Sequence, residues 1–221
     1  MEKHTVKSYD DELKHLKSLI NNMGEATLRQ LSQAFEALVA RNIELAMKVI
    51  ESGDDVDRMQ AAVDELTVRM LGKRQPMGID LRVIFSGQKI AANLERIGDY
   101  AENIARHTEA LNLHSPNLQL ASVEKMGEIA VHMLSSVMSS HNAEDTDLAV
   151  KVWHQDDEMD AAYTRLLDEL RHAMMENPGN IQAGTNVLLI GRCAERIGDL
   201  VTNIAESVYY IAHGKTYSGQ S

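Results

Sequence analysis

Two pairs of acidic residues occupy the same place in a repeated motif. Glu95 and Asp99 are four residues apart, and so are Glu195 and Asp199. In a helix this spacing puts both carboxylates of a pair on one face, about 6 Å apart along the axis, so that both reach one cluster. Carboxylate ligands without thiolates suit hard or borderline ions such as Mg²⁺, Mn²⁺ or iron. The motif therefore predicts a cation site in each copy.

Aspartates that precede the motif supply further candidate ligands. Asp156 and Asp160 are four residues apart in the second copy; Asp54 and Asp57 stand at the matching place in the first copy, which has Gly53 where Asp156 falls. If the start of this helix packs against the middle of the motif helix, four carboxylates converge in each copy. Such carboxylates repel unless a cation or protons intervene. The same acids have a plain structural alternative, as N-caps or as first-turn partners of the helix dipole.

The acidic pairs belong to an internal repeat. Residues 95–105 and 195–205 are identical at eight of eleven positions, and upstream matches keep an offset of 103 residues. A lone acidic pair at this spacing is usually a solvated helix edge, but packing alone does not require Glu, Arg, Gly, Asp and Asn to recur together. We therefore predict two domains, residues 1–112 and residues 113–221, each formed by one copy.

Apolar residues recur at the helical spacings of three and four in both copies. Turn-forming residues at 52–55, 75–76 and 177–179 break this pattern into segments. The sequence predicts an all-α protein of two tandem, pseudo-symmetric three-helix bundles, with a short helical segment (43–52 and 145–154) before the second long helix of each bundle. The longest apolar stripe, which predicts neighbours crossing at about 20°, is formed by Val187, Ile190, Ala194, Ile197, Val201, Ile204, Val208 and Ile211.

Two helix starts are also predicted from single residues. Asp80 is expected to be the N-cap of the third helix of the first copy, because an aspartate side chain accepts hydrogen bonds from free backbone N–H groups. Ser115 and Pro116 are expected to open the second copy, with the proline in a first-turn position. Both predictions concern helix ends and leave the helix order unchanged.

Composition limits the classes of partner. The 221 residues include 22 basic and 33 acidic side chains, a net charge of −11. A chain this acidic, with scattered basic residues, is a poor match to nucleic acid, to an anionic membrane or to free phosphate. The single cysteine, Cys193, excludes a disulfide within the chain, and the charged first thirty residues contain no signal-peptide core. We expect a cytoplasmic protein that does not bind nucleic acid.

The motif Glu-Arg-Ile-Gly-Asp, at residues 95–99 and 195–199, occurs together with Lys-Arg-Gln-Pro at 73–76 and Asp-Leu-Arg at 80–82. In these features the chain resembles the PhoU family, accessory regulators of bacterial phosphate-specific transport. The resemblance implies two symmetry-related three-helix bundles, no enzymatic turnover, and repression of the phosphate-starvation response when phosphate is plentiful. It also implies contacts with a phosphate sensor histidine kinase and with the ATPase subunit of the phosphate ABC transporter. A homodimer is expected, peripheral at the inner membrane through these partners.

The resemblance also implies multinuclear iron or zinc clusters held by paired acidic motifs, and the residues themselves admit manganese or magnesium. Two other functions stay open on the residues alone: a carboxylate-metal hydrolase or oxidase, and a purely structural helical oligomer. The predicted metal ligands are Glu95, Asp99, Asp54 and Asp57 in the first copy, and Glu195, Asp199, Asp156 and Asp160 in the second.

Overall fold

The structure, a computed structural model, describes residues 2–114 and 121–219. Within these residues the chain forms eight α-helices and a short 3₁₀ turn at Pro178–Asn180, with no strand. The all-α prediction is therefore confirmed. The helices are α1 (Glu2–Ala40), α2 (Ile43–Glu51), α3 (Gly53–Arg74), α4 (Gly78–His114), α5 (Ala121–Ala143), α6 (Thr146–His154), α7 (Asp156–Glu176) and α8 (Ile181–His213).

The helices form two copies of one arrangement. Three long helices and a short one make up each copy, α1 to α4 and α5 to α8, and the short helices α2 and α6 lie where the sequence predicts them. Helices α4 and α8 each contact all the other helices of their own copy, and they also pack against each other. The prediction of two tandem, pseudo-symmetric bundles is confirmed. The predicted boundary after residue 112 falls in the last turn of α4.

The long apolar stripe of α8 lies in the core. Its residues from Val187 to Val208 are at most 3% exposed, whereas Ile211 near the helix end is only partly buried. Burying a side chain of this size stabilises the fold by about 1.5–3 kcal/mol.

Helices α4 and α8 run antiparallel, because Arg82 near the start of α4 donates a hydrogen bond to the carbonyl of Ile211, near the end of α8, at 3.0 Å. In the described residues no helix is both long and apolar enough to span a membrane.

Two equivalent glycines let the copies approach closely. A β-carbon on Gly24 of α1 would lie 2.3 Å from Cε of Met138 on α5, and one on Gly127 of α5 would lie 2.5 Å from Cδ1 of Phe35 on α1. Met138 and Phe35 are themselves equivalent at the offset of 103 residues. Each helix therefore places a bulky side chain over the glycine of the other. This close approach explains two glycines inside helices, where each costs about 1 kcal/mol relative to alanine.

Polar contacts join the middle of α1 to the end of α5 and to the residue that follows it. Lys17 donates to Glu144 at 2.6 Å, and the amide nitrogen of Asn21 donates to Oδ1 of Asn142 at 3.1 Å. Nδ1 of His141 lies 3.2 Å from Oδ1 of Asn21, which makes the imidazole the donor of this hydrogen bond. His141 is only 7% exposed. Burial, assisted by the charge of Lys17, lowers the pKa of His141 to about 4.

We expect the protein to lose stability as the pH falls from 6.5 towards about 4. Because folding lowers the pKa of His141, the unfolded chain binds this proton first, and the linked loss reaches about 3 kcal/mol. Urea unfolding across this window should show the loss, and the His141→Gln variant should show a flatter profile. The pKa of Glu144 is lowered from 4.5, mainly by its hydrogen bond to Lys17, so its contribution disappears only at lower pH. Identical profiles for parent and variant would contradict this assignment.

One predicted helix start is wrong. Asp80 does not precede α4 but lies in its first turn, because the helix already begins at Gly78. Gly78 has a φ of 60°, a left-handed conformation that glycine adopts without strain and that lets the helix start two residues earlier. The predicted start at Ser115 and Pro116 lies outside the described residues. In the first turn, the negative charge of Asp80 still interacts favourably with the positive end of the helix dipole.

Candidate functional site

Three carboxylates meet between α3 and α4. One oxygen from each of Asp57, Glu95 and Asp99 lies within 4.8 Å of the other two. Asp57 comes from the first turns of α3, and Glu95 and Asp99 come from successive turns of α4. Burial raises the pKa of Glu95, and the charges of Asp99 and Asp57 raise it further. The pKa of Asp99 is raised in the same way, by burial and then by Asp57 and Glu102.

Glu102 is a fourth acid, which the sequence analysis missed. A β-carbon on Gly53 would lie 2.9 Å from its Oε2, so the side chain extends from α4 over the start of α3, where the glycine leaves space. Arg106 holds this carboxylate through Nε at 2.9 Å. In the repeat, Gly53 corresponds to Asp156 and Glu102 corresponds to Thr202. The fourth acid of the second copy, Asp156, is therefore on the helix before the motif helix, whereas that of the first copy, Glu102, is on the motif helix itself. Sequence comparison reveals this exchange only when both pairs of positions are examined together.

Asp54 lies outside the group that the sequence assigned to it. It is exposed in the first turn of α3 and is not one of the three carboxylates that meet. Its position three residues before Asp57 displaces it by about 4.5 Å along the helix axis. The Glu102 carboxylate occupies the space over the neighbouring residue, Gly53. The acids near this place are therefore Asp57, Glu95, Asp99 and Glu102, which we call the first cluster.

Four acids also face one another at the start of α7 and the middle of α8. Oδ1 of Asp156 would lie 2.7 Å from a β-carbon on Gly198, so this carboxylate rests against the glycine of the motif. Burial raises the pKa of Asp156 to about 6, and the charges of Asp160, Asp199 and Glu195 act in the same direction. Burial followed by the charge of Asp199 also raises the pKa of Glu195. We call these four acids the second cluster.

The arginine of the motif acts differently in the two copies. Nη1 of Arg196 donates to Asp199 at 2.9 Å, and its Nε lies 3.5 Å from Glu195. Arg96, at the same place in the first copy, forms no ion pair with a described residue. Among the described side chains, the trio of Asp57, Glu95 and Asp99 is also the only group of three acids, histidines or cysteines this close together. In the described part of the chain, the trio of the first cluster is thus the most compact group of acids, and the motif arginine forms no ion pair with it, whereas Arg106 pairs only with Glu102.

Gln30 of α1 places a neutral oxygen beside the first cluster. Its side chain is 3% exposed, and its Nε2 donates to the carbonyl of Val49 at 3.4 Å, but its Oε1 has no hydrogen-bond partner. A β-carbon on Gly98 would lie 3.0 Å from this oxygen. Each motif glycine therefore has a side-chain oxygen close to it, an amide oxygen at Gly98 and the Asp156 carboxylate at Gly198. A buried acceptor without a partner costs about 1–3 kcal/mol.

Both clusters offer the donor atoms that a hard divalent cation prefers, and among the described residues the first cluster alone brings three of them within 4.8 Å of one another. Their donors are carboxylate oxygens contributed by two helices, and burial together with neighbouring acids raises the pKa values of Glu95, Asp99, Asp156 and Glu195. A cation removes this repulsion and favours the ionised form of each acid. Oxygen donors of this kind fit magnesium, manganese and iron, and zinc also accepts carboxylates. The arrangement is therefore suited to binding ions and to linking α3 with α4 and α7 with α8.

Comparisons with known proteins cover both copies. A family model described as the PhoU domain matches residues 20–108 and 123–208. A phosphate-specific transport system accessory protein PhoU homolog of Xylella fastidiosa is 38% identical over 212 residues, which span 96% of this chain and 89% of that protein. The phosphate-specific transport system accessory protein PhoU of Escherichia coli is 35% identical over 219 residues, which span 98% of this chain and 90% of that protein.

Solved structures agree with the fold. The crystal structure of PhoU from Pseudomonas aeruginosa is similar with a TM-score of 0.91 at 35% identity, and the match covers 94% of this chain and all of that one. The phosphate transport system regulatory protein PhoU from Streptococcus pneumoniae is similar with a TM-score of 0.88 at 27% identity, and that match covers 95% of this chain and 99% of the other. The resemblance read from the repeated motif is thus confirmed, and the chain belongs to the PhoU family.

Proposed function

We propose that this protein is an accessory regulator of phosphate-specific transport that represses the phosphate-starvation response when phosphate is plentiful. The observation that carries this proposal is the similarity to proteins named as PhoU accessory proteins, which extends over both copies and nearly the whole chain. The protein acts in the cytoplasm as a homodimer, without catalysis. It couples the ATPase subunit of the phosphate ABC transporter to the phosphate sensor histidine kinase by contacting both.

The distribution of exposed apolar side chains supports a function through protein contacts. Met77 and Ile79, at the α3–α4 turn, are 83% and 54% exposed, and Met175 and Ile181, at the α7–α8 turn, are 77% and 53% exposed. Methionine and other large apolar side chains are enriched at the centre of protein interfaces relative to the rest of the surface. Because α4 and α8 are antiparallel, the two turns lie at opposite ends of the helix pair. A molecule with an apolar turn at each end suits the coupling of two partners.

Bound cations are part of the proposal. The carboxylates of the first and second clusters hold iron, zinc, manganese or magnesium, and the ion replaces repulsion between the acids by attraction to a common charge. In this role the ion is structural, because it ties the start of α3 or α7 to the middle of the motif helix. A fixed relation between these helices keeps the surfaces for the partners in one arrangement.

We further propose that the protein responds to the state of the transporter and not to phosphate itself. A net charge of −11 opposes the approach of a phosphate anion. Calorimetry with the metal-stripped protein should therefore detect no binding of inorganic phosphate. A dissociation constant of about 1 mM or tighter would contradict this part of the proposal.

Co-purification tests the proposed partners. Tagged protein is recovered from detergent-solubilised membranes of phosphate-replete and phosphate-starved cells, and we expect the transporter ATPase subunit and the histidine kinase to co-purify, with more kinase in replete cells. Met77→Ser with Ile79→Ser should reduce recovery of at least one partner. Val68→Ser is the matched control, because Val68 is 67% exposed on α3 away from the turn. Recovery of neither complex in either state would contradict the proposal.

Turnover assays on the same preparation test the enzymatic alternative. Metal-loaded protein is incubated with phosphomonoesters and, when loaded with iron, with dioxygen. We expect no turnover above that of the free metal ion. Turnover that disappears in Glu195→Ala with Asp199→Ala would instead favour a hydrolase or oxidase. A defined oligomer with neither turnover nor partners would favour the structural alternative.

A further inference from the structure

A polar cleft of about 500 Å³ lies between α4 and α8. Among the described residues that line it, none belongs to either carboxylate cluster. The cleft is therefore a feature separate from the cation sites, although it shares their two helices. Its chemistry depends on polar and aromatic side chains from both helices, chiefly Phe85, Ser86, Lys89, Asn203, Glu206 and Tyr210.

Ser86 is one of the residues that line this cleft, and its buried hydroxyl group is unsatisfied. The residue is 1% exposed, and its Oγ has no hydrogen-bond partner. A serine in a helix commonly donates to the carbonyl four residues earlier, as Ser207 across the cleft does to Asn203 at 2.9 Å. A buried hydroxyl without a partner destabilises the fold, because it has given up its hydrogen bonds to water and gained none in return. Serine also has a small side chain, so this position leaves volume in the cleft.

The repeat provides an internal comparison, because the equivalent place on the other side of the α4–α8 pair is filled. At an offset of 100 residues Ser86 corresponds to Asn186, and Ser207 corresponds to His107. Nδ1 of His107 and Oδ1 of Asn186 lie 3.2 Å apart and share a hydrogen bond. Two serines replace this pair in the cleft and leave its volume open. The cleft thus results from the choice of side chains at two positions and not from a gap between the helices.

The cleft also carries one charge of each sign. Lys89 and Glu206 form no ion pair with each other or with any other described residue. Nζ of Lys89 lies 4.8 Å from the centre of the Phe85 ring, and Oε1 of Glu206 accepts a hydrogen bond from Nε1 of Trp153 at 3.3 Å. Two unpaired opposite charges in one cleft complement a ligand that carries both signs. A phosphate anion, in contrast, would be repelled by Glu206.

We propose that this cleft binds a small zwitterion of the α-amino acid type. Lys89 binds the carboxylate of the ligand, Glu206 binds its ammonium group, and the small side chains of Ser86 and Ser207 leave the volume that the ligand occupies. The aromatic rings of Phe85 and Tyr210 contact the ligand's side chain. The cleft volume is within the range of small-molecule sites. Because its walls come from α4 of one copy and α8 of the other, the bound ligand stabilises the contact between the copies.

Calorimetry with the purified full-length chain tests this proposal. Each common amino acid is titrated separately, and acetate, methylamine and inorganic phosphate are titrated as probes of a single charge sign. We expect at least one amino acid to bind with a dissociation constant of about 1 mM or tighter, and the three probes to bind at least tenfold more weakly. Failure of every amino acid to bind, or equal binding of phosphate, would overturn the proposal.

Variants locate the binding. Ser86→Asn with Ser207→His copies the filled place into the cleft without altering Lys89 or Glu206, and it should abolish binding while the helical circular dichroism is retained. Lys89→Met and Glu206→Gln should each weaken binding at least tenfold. Lys151→Met, on the exposed face of α6, is the matched control and should leave it unchanged. Unchanged binding in the filled variant overturns the proposal; if that variant does not fold, the two charge variants decide by the same criterion.

Discussion

Replacing Gly127 with leucine is expected to lower the free energy of unfolding by about 3 kcal/mol or more. A β-carbon at this position would lie 2.5 Å from the ring of Phe35, which is itself only 6% exposed and has little room to move. The added side chain must therefore separate α1 from α5. Urea unfolding monitored by circular dichroism measures the loss.

Two further variants separate the contact from the general effect of a glycine in a helix. Gly72→Ala, near the end of α3, is the matched control: its β-carbon would meet nothing within 4 Å, so stability should rise by about 0.5–1 kcal/mol. Phe35→Ala removes the ring that the introduced leucine side chain would strike, so the double variant should lose less stability than the sum of the two single variants. Strict additivity would show that the ring is not the obstacle.

Replacing two acids of either carboxylate cluster with alanine is expected to abolish ion binding at that cluster. Glu195→Ala with Asp199→Ala should empty the second cluster, and Asp57→Ala with Glu95→Ala should empty the first, because two of the four acids are lost in each case. Protein is loaded with Mn²⁺ or Fe²⁺, desalted, and analysed for metal by mass spectrometry. Asp54→Ala is the control for the loss of a carboxylate from the same region, since Asp54 lies outside the close trio. Full metal content in either double variant would refute its ligand assignment.

We expect the acids of these clusters to stabilise the fold when ions are bound and to destabilise it when the ions are removed. For an acid whose pKa is raised by folding, the folded state binds the proton more tightly, so stability falls as the pH rises through the interval between the two pKa values. For Asp156 this interval runs from 3.8 to about 6. In the presence of a chelator, Asp156→Asn should therefore be more stable than the parent at pH 7, and with Mn²⁺ it should be less stable. The same order under both conditions would contradict the proposed role of the ion.

The helices were predictable because their signals are local. The apolar stripe of α8 and the breaks near residues 52, 75 and 177 are set by neighbours three and four positions apart, which is the range over which a helix repeats. Asp80 illustrates the limit of such signals, since the left-handed Gly78 lets α4 begin two residues before it. Element type follows from periodicity, whereas the exact end depends on backbone conformation.

The carboxylate clusters were predictable only in part, because their membership depends on contacts between helices. Glu95 and Asp99 share a face of one helix, which spacing alone establishes. Glu102 joins them because Gly53, on another helix, leaves room for its side chain. Comparison of the two copies shows this exchange, but neither copy shows it alone. The cleft beside Ser86 was not predictable for a similar reason: it consists of volume that small residues leave empty.

The reciprocal contact of Gly24 with Met138 and of Gly127 with Phe35 bears on how such a chain arises. A surface that is complementary to its own copy is an isologous interface, the kind that joins identical subunits about a two-fold axis. A half-length ancestor with one glycine and one bulky residue at these positions would close the same core by pairing with itself. After fusion of two such genes, the two copies no longer need to have the same sequence. One side of the α4–α8 pair can then keep a filled contact, as at His107, while the other side opens a cleft, as at Ser86.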